Sequence, residues 1–167
     1  LPVGKDAKVF NFGEDIITPL VMDQVQKASP NPVKKFPGLQ DNSAVIPPDV
    51  MGAAGPNHLF ETLNSQYEIF SKTGSVVSTL SLSSFWSGLS SVGTAYSDPH
   101  VVFDAITNKW ITCIIAQLSN GHYGIFVAGS LTDDPTGNWY EYSFDTGPSS
   151  LLPDFPLLGY NKNWVVI

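Results

Sequence analysis

Arginine is absent from these 167 residues; the eight basic side chains are all Lys, set against 15 acidic ones for a net charge of −7. Phosphate recognition relies on basic surface and on bidentate guanidinium forks, so an acidic chain without Arg is a poor partner for nucleic acid. Cysteine occurs once, which excludes an internal disulfide, and Cys113 sits within the apolar run WITCIIA, where a buried and inert thiol is expected. Charged residues make up only 14% of the chain, and no apolar run approaches the roughly 20 residues of a membrane-spanning helix, so no membrane span is expected. No Asn-x-Ser/Thr acceptor occurs, nor any Gly-rich phosphate loop or Cys/His cluster of metal-ligand spacing.

What is present is 43% hydrophobic residues with 14 Gly, 13 Pro and abundant Ser and Thr, a mixture that suits short strands joined by many turns. The expected fold class is all-β. Residues 1–48 carry most of the Lys and many of the Pro, and read as an extended N-terminal leader; ITPLVMDQVQKA within it has the pattern of a short helix limited by Pro19 and SPNP. From Asp49 onward, runs such as HLFETLN, QYEIFSK, VVSTLSL, PHVVFD, KWITCIIAQ, YGIFVAGS and NWYEYSF alternate with turn signals such as SKTG, ITNK, LSNGH and DDPTGN.

Three segments then align: PDVMGAAGPNHLF, SDPHVVFDAITNKWI and PDFPLLGYNKNWVV, which places Asp49, Asp98 and Asp154 at one repeat position. A period near 50 residues with about four strands per unit is the size of a β-propeller blade. Residues 49–167 therefore read as a partial β-propeller of about two and a half four-stranded blades, with a β-sandwich of seven to nine strands as the alternative. An open stack leaves apolar strand edges exposed, so the expectation is that the remaining blades come from the same precursor or from another chain. Trp110 and Trp164 share a repeat position and are expected to pack between blades, as is Trp139.

SDPHVVFDAITNKWI followed by VAGSLTDDPTGNWYEYSF resembles the blades of secreted bacterial β-propellers, including the five-bladed glycoside hydrolases of the arabinanase and xylosidase type. SLTDDPTGNW is also similar to the Asp-box turn of sialidase-type propellers. The resemblance spans about residues 45–167 at the level of single blades. It implies a secreted or cell-surface module, and in a hydrolase Asp98 would be an acidic residue opening an inner strand, with Asp49 or Asp154 as partner. The units lack a Glu where a general acid is expected, since Glu61, Glu68 and Glu141 fall in predicted strands and read as solvent-facing.

An acidic residue once per blade at one strand position builds a ring around the propeller mouth. Asp49, Asp98 and Asp154 are thus candidate ligand-binding residues, suited to a hard cation such as Ca²⁺ or to glycan hydroxyls, although recurrence once per blade favours each capping its own turn. Trp86, in the Ser/Gly-rich stretch LSSFWSGLSSVGTAYS, reads as an exposed loop aromatic able to stack on a sugar face. Asp104, Asp133 and Asp134 read as turn residues, and His58, His100 and His122 as structural or exposed. The expected function is an extracellular binding or scaffolding module, carbohydrate- or cation-binding. The alternatives are a glycoside hydrolase with inner-strand carboxylates, and a structural protein assembling through open sheet edges.

Overall fold

Strands form wherever β-branched and aromatic residues alternate with polar ones, and Gly or Asx turns reverse the chain between them. The computed structural model describes residues 29–90, 92–148 and 150–167, of which Lys34–Ile167 make one unit. The predicted helix in ITPLVMDQVQKA lies outside the described residues. Sheet A runs β1 (Met51–Ala54), β2 (His58–Thr62), β3 (Gln66–Ser71) and β4 (Val76–Ser81); sheet B runs β5 (Val92–Asp104), β6 (Lys109–Leu118), β7 (Tyr123–Ser130) and β8 (Trp139–Gly147). A third hairpin pairs β9 (Gly159–Tyr160) with β10 (Val165–Val166), and in all three sheets neighbours in sequence are antiparallel neighbours in space. Among the described residues the fold is all-β, with one four-residue helix, α1 (Leu82–Phe85).

The turns follow from their residues. Gly121 at φ 83° closes LSNGH with its N–H on Leu118 O, and the Asp134 carboxylate accepts from both the N–H and the hydroxyl of Thr136 to shape DDPTG. Asp104 caps its own turn in the same way, accepting from Ile106 N at 2.8 Å and from the Thr107 hydroxyl. These hydrogen bonds to the ionised form hold the Asp104 carboxyl below its ordinary value, the Thr107 hydroxyl contributing most.

Sheets A and B pack face to face. Phe60, Tyr67 and Ile69 from sheet A meet Val101, Trp110, Ile114, Ala116, Phe126 and Ala128 from sheet B. Aromatic rings lock the interface: Phe60 lies 5.3 Å from Tyr67 and 6.0 Å from Trp110, in edge and tilted geometries. Trp110 is fully buried, and its indole N–H reaches Asp133 O at 2.9 Å. Cys113 is buried on the other side of β6, where burial pushes its thiol up to about 12.

Trp86 is corrected from loop surface to core. It follows α1, whose N-cap Ser81 accepts from Ser84 N, and this short turn drives Leu82 and Trp86 between the sheets. Trp86 is fully buried, 5.6 Å from Phe126, with its indole N–H on the Tyr67 hydroxyl. Ser-rich composition suggested a loop because it is silent about a capped turn bearing Leu82, Phe85 and Trp86 on one side.

The outer face of sheet A is crossed by residues 36–40. Leu39 N donates to Glu61 Oε2 at 2.6 Å, the Gln66 side-chain amide reaches Gln40 O at 3.2 Å, and Phe36 packs 6.0 Å from Phe70. Gly74 is required beneath it: φ is +89°, and a Cβ there would stand 2.5 Å from the Phe36 ring. Glu61 is therefore a hydrogen-bond acceptor for this crossing segment, and Glu68 accepts from the Thr79 hydroxyl.

The third hairpin begins on the opposite face of sheet B, where Trp164 and Val165 share a small cavity with Ile111 and Gly129, and the Tyr160 hydroxyl donates to Phe103 O. Its register corrects the sequence alignment. Asn161 caps this hairpin as Asp104 caps the β5–β6 turn, but two residues separate Asn161 from Trp164 where four separate Asp104 from Lys109. Trp164 thus takes the place of Lys109, and Val165, paired with Tyr160, takes the place of Trp110, paired with Phe103. A one-residue slip in a strand reverses its faces, which is why Trp164 is 69% exposed rather than packed between sheets.

Two substitutions separate these roles. Trp110→Ala is expected to cost about 3–5 kcal/mol in urea denaturation, whereas Trp164→Ala is expected to stay within about 0.5 kcal/mol. Equal losses at both positions would contradict the register assigned to the third hairpin.

Candidate functional site

In each unit the regular ladder of the first hairpin follows a residue with left-handed backbone: Asp49 at φ 45° before β1, Asp98 at 53° within β5 where its register with β6 shifts, and Phe155 at 53° before β9. Asp tolerates this region because its side chain bonds locally, whereas a bulky Phe there is strained and must be held by its surroundings. Asp98 and Phe155 each precede a buried Pro, Pro99 and Pro156. The backbone equivalent of Asp98 in the third unit is therefore Phe155, and Asp154 is one residue out of step. This corrects the repeat position expected for Asp154, which is exposed.

The three junctions converge on one another. Asn64, 6% exposed at the end of β2, donates its amide to Asp49 Oδ2 at 2.6 Å and to Pro47 O at 3.0 Å, while its carbonyl oxygen accepts Asp98 N at 2.7 Å. Asn64 N completes the clasp on Pro48 O at 2.8 Å. Asp98 then repeats the role for the next unit, its Oδ2 accepting Phe155 N at 3.3 Å. A hydrogen-bonded relay thus runs from Asp49 through Asn64 and Asp98 to Phe155. Nothing in the local sequence marked Asn64, because its side-chain partners lie 15 and 34 residues away.

The Asp49 carboxyl also stands near that of Asp98. Burial raises the Asp98 pKa most; the neighbouring carboxyls of Asp49 and Asp154 add to it, and the Phe155 N–H partly offsets it. His100 stands beside this group, 6% exposed, its ring edge-on to Phe155 at 5.3 Å and its Nε2 buried without a hydrogen-bond partner. Burial lowers the His100 pKa, against the pull of the Asp98 charge, so its imidazole is neutral near pH 7.

This geometry brings together the three Asp residues singled out by the sequence, and Trp86 stands apart from them in the core. Among the described residues no three His, Cys, Asp or Glu side chains are grouped as a metal site. Glu141, read as solvent-facing, instead has one carboxyl oxygen buried without a partner, and that burial raises its pKa.

Beside the clasp lies an open cleft of about 460 Å³, whose polar lining comes from Asn42, Asn64, Ser65, Ser81, Ser83 and Tyr96. No charged side chain lines it. Neither the family models nor the curated proteins and solved structures compared with this chain gave a match.

Removing the clasp should be costly: Asn64→Ala loses three side-chain hydrogen bonds and strands buried partners, for an expected loss of about 2–4 kcal/mol in denaturant unfolding. A change below that of an ordinary surface substitution would contradict the clasp.

Asp98→Asn carries a signed prediction. A carboxyl with a folded-state pKa above its ordinary 3.8 favours folding at low pH, and that advantage is lost as pH rises through the folded value. Asn tolerates positive φ, can still accept from Phe155 N, and places no charge beside Asp49. The variant should therefore melt higher than the native protein at pH 7, with the difference shrinking below pH 4; a lower melting temperature at pH 7 would contradict the upward shift of the Asp98 carboxyl.

Proposed function

We propose that this chain is part of an extracellular β-propeller module whose task is binding or scaffolding. The observation that carries the reading is the repetition of one left-handed junction, Asp49, Asp98 and Phe155, ahead of the regular first-hairpin ladder of three successive antiparallel units whose sheets follow one another in chain order. In a propeller, inner strands bring such junctions to one mouth, and ligands meet the loops there. The acidic, Arg-free composition suits an extracellular setting.

The ligand class favoured is a neutral, hydroxyl-rich carbohydrate held in the cleft beside Asn64. The uncharged amides and hydroxyls of Asn42, Ser65 and Ser83 match sugar hydroxyls, and the Tyr96 ring supplies an apolar wall. A cation is less favoured, because Asp49 and Asp98 direct oxygens to Asn64 and to Phe155 N. Hydrolysis by this pair is less favoured for the same reason.

The test is a glycan array followed by calorimetric titration of any saccharide retained. Binding is expected, and Ser83→Trp, an exposed position that fills the cleft, should weaken it at least about tenfold, the equivalent of roughly 1.4 kcal/mol, without shifting the melting temperature. Millimolar Ca²⁺ and EDTA should leave the melting temperature equal. Retention of no glycan would remove the ligand assignment, and a Ca²⁺-dependent rise would return the acidic ring to cation binding.

A further inference from the structure

The outer face of sheet B, turned away from sheet A, is buried at one edge and bare at the other. Cross-strand partners share a face, so the register aligns three rows across it: His100, Cys113, Val127 and Tyr142; Val102, Ile111, Gly129 and Tyr140; Ile115, Ile125 and Phe144. On β6, Ile111, Cys113 and Ile115 are 8%, 0% and 1% exposed, and Ile125 and Val127 on β7 are intermediate. On β8, Tyr140, Tyr142 and Phe144 are 60%, 54% and 56% exposed. None of these side chains from β6, β7 and β8 is charged.

That gradient has a structural match. The segment 155–161 repeats 98–104 at a constant offset: Phe155 for Asp98, Pro156 for Pro99, Tyr160 for Phe103 and Asn161 for Asp104, with left-handed entry, buried proline and capped turn in both. Where the hairpin and its entry lie, over β5 and β6, the face is covered. Where third and fourth strands of such a sheet would lie, over β7 and β8, it is bare. In sheets A and B the second strand pairs onward with a third, β2 with β3 and β6 with β7, whereas β10 pairs with β9 alone among the described residues.

We propose that the bare face is an interaction surface for the second half of a third four-stranded sheet: a β-hairpin with a largely apolar face that pairs with the free edge of β10 and packs on Tyr140, Tyr142 and Phe144. Backbone hydrogen bonds to β10 fix its register, and the aromatic row supplies the buried area, in the manner of strand addition to an open sheet edge. The occupant continues an interface already formed between sheets A and B, where Phe126 and Trp139 from β7 and β8 pack toward Phe60, Phe85 and Trp86.

This inference rests on the stacked-sheet reading given under the proposed function, but not on the cleft, so saccharide titration and the experiment below fail independently. A copy of residues 113–147 is appended after Ile167, the point at which the register of Tyr160 with Val165 makes the copied strand continuous with β10. The extended protein is expected to melt several degrees higher than the native chain and to bind several-fold less of an apolar dye such as anilinonaphthalene sulfonate. Phe144→Lys at the original position should remove that gain while leaving the unextended chain as stable as before, since Phe144 is exposed there. Unchanged melting and dye binding on extension would overturn the proposal. So would light scattering that shows the unextended chain as a discrete dimer which Phe144→Lys converts to monomer, because the face would then belong to a second copy.

Discussion

The Asn64 side chain is the constraint on which the arrangement of the sheets depends. An amide offers two donors and an acceptor on one planar group, and all three directions are used: the Asp49 carboxylate, Pro47 O and the Asp98 N–H. The first two partners lie just before β1 of sheet A and the third at the register shift within β5 of sheet B. A single buried group therefore ties one sheet to the next at this point. Neither Ala nor Leu supplies any of these bonds, and Asp in its place would oppose Asp49 with a second charge.

Fixed at that point, the sheets are free to close on each other as aromatic layers. Trp86 enters from the linker between the sheets, Trp110 from β6 and Phe60 from β2, each fully buried. Their edge-to-face contacts tolerate little misalignment, so the clasp and the aromatic core reinforce one register. The left-handed backbone at Asp49, Asp98 and Phe155 has a cost that the same contacts offset, Phe155 through the Asp98 carboxylate and the His100 ring.

The strands were legible in the sequence wherever alternation and turn chemistry agreed. YGIFVAGS is β7 from first residue to last, and the runs for β2, β3 and β4 differ from the observed strands only at their ends. The repeat was legible too, but its third copy was aligned on the visible Asp154 and Trp164, whereas backbone geometry aligns on Phe155 and Val165. Residue type misleads where turn length changes from four residues to two. Trp86 was misread because Ser-rich composition conceals a capped helical turn. The clasp was invisible for a different reason: Asn64 looks like any turn asparagine until distant segments are brought to it. Asp49, Asp98 and Asp154 were expected to lie together, but the hydrogen bonds of Asp49 and Asp98 to the scaffold were not.

Native-state hydrogen exchange of the Asp98 amide tests the account most directly, because that N–H donates to the Asn64 side chain and reports the closing of one sheet on the other. If the clasp holds the sheets together, this amide exchanges only through global unfolding, at the free energy measured for core amides such as that of Ile114. Exchange as fast as that of the exposed turn amide of Asn120 would contradict it, and would mean that the two sheets are held by their aromatic core alone.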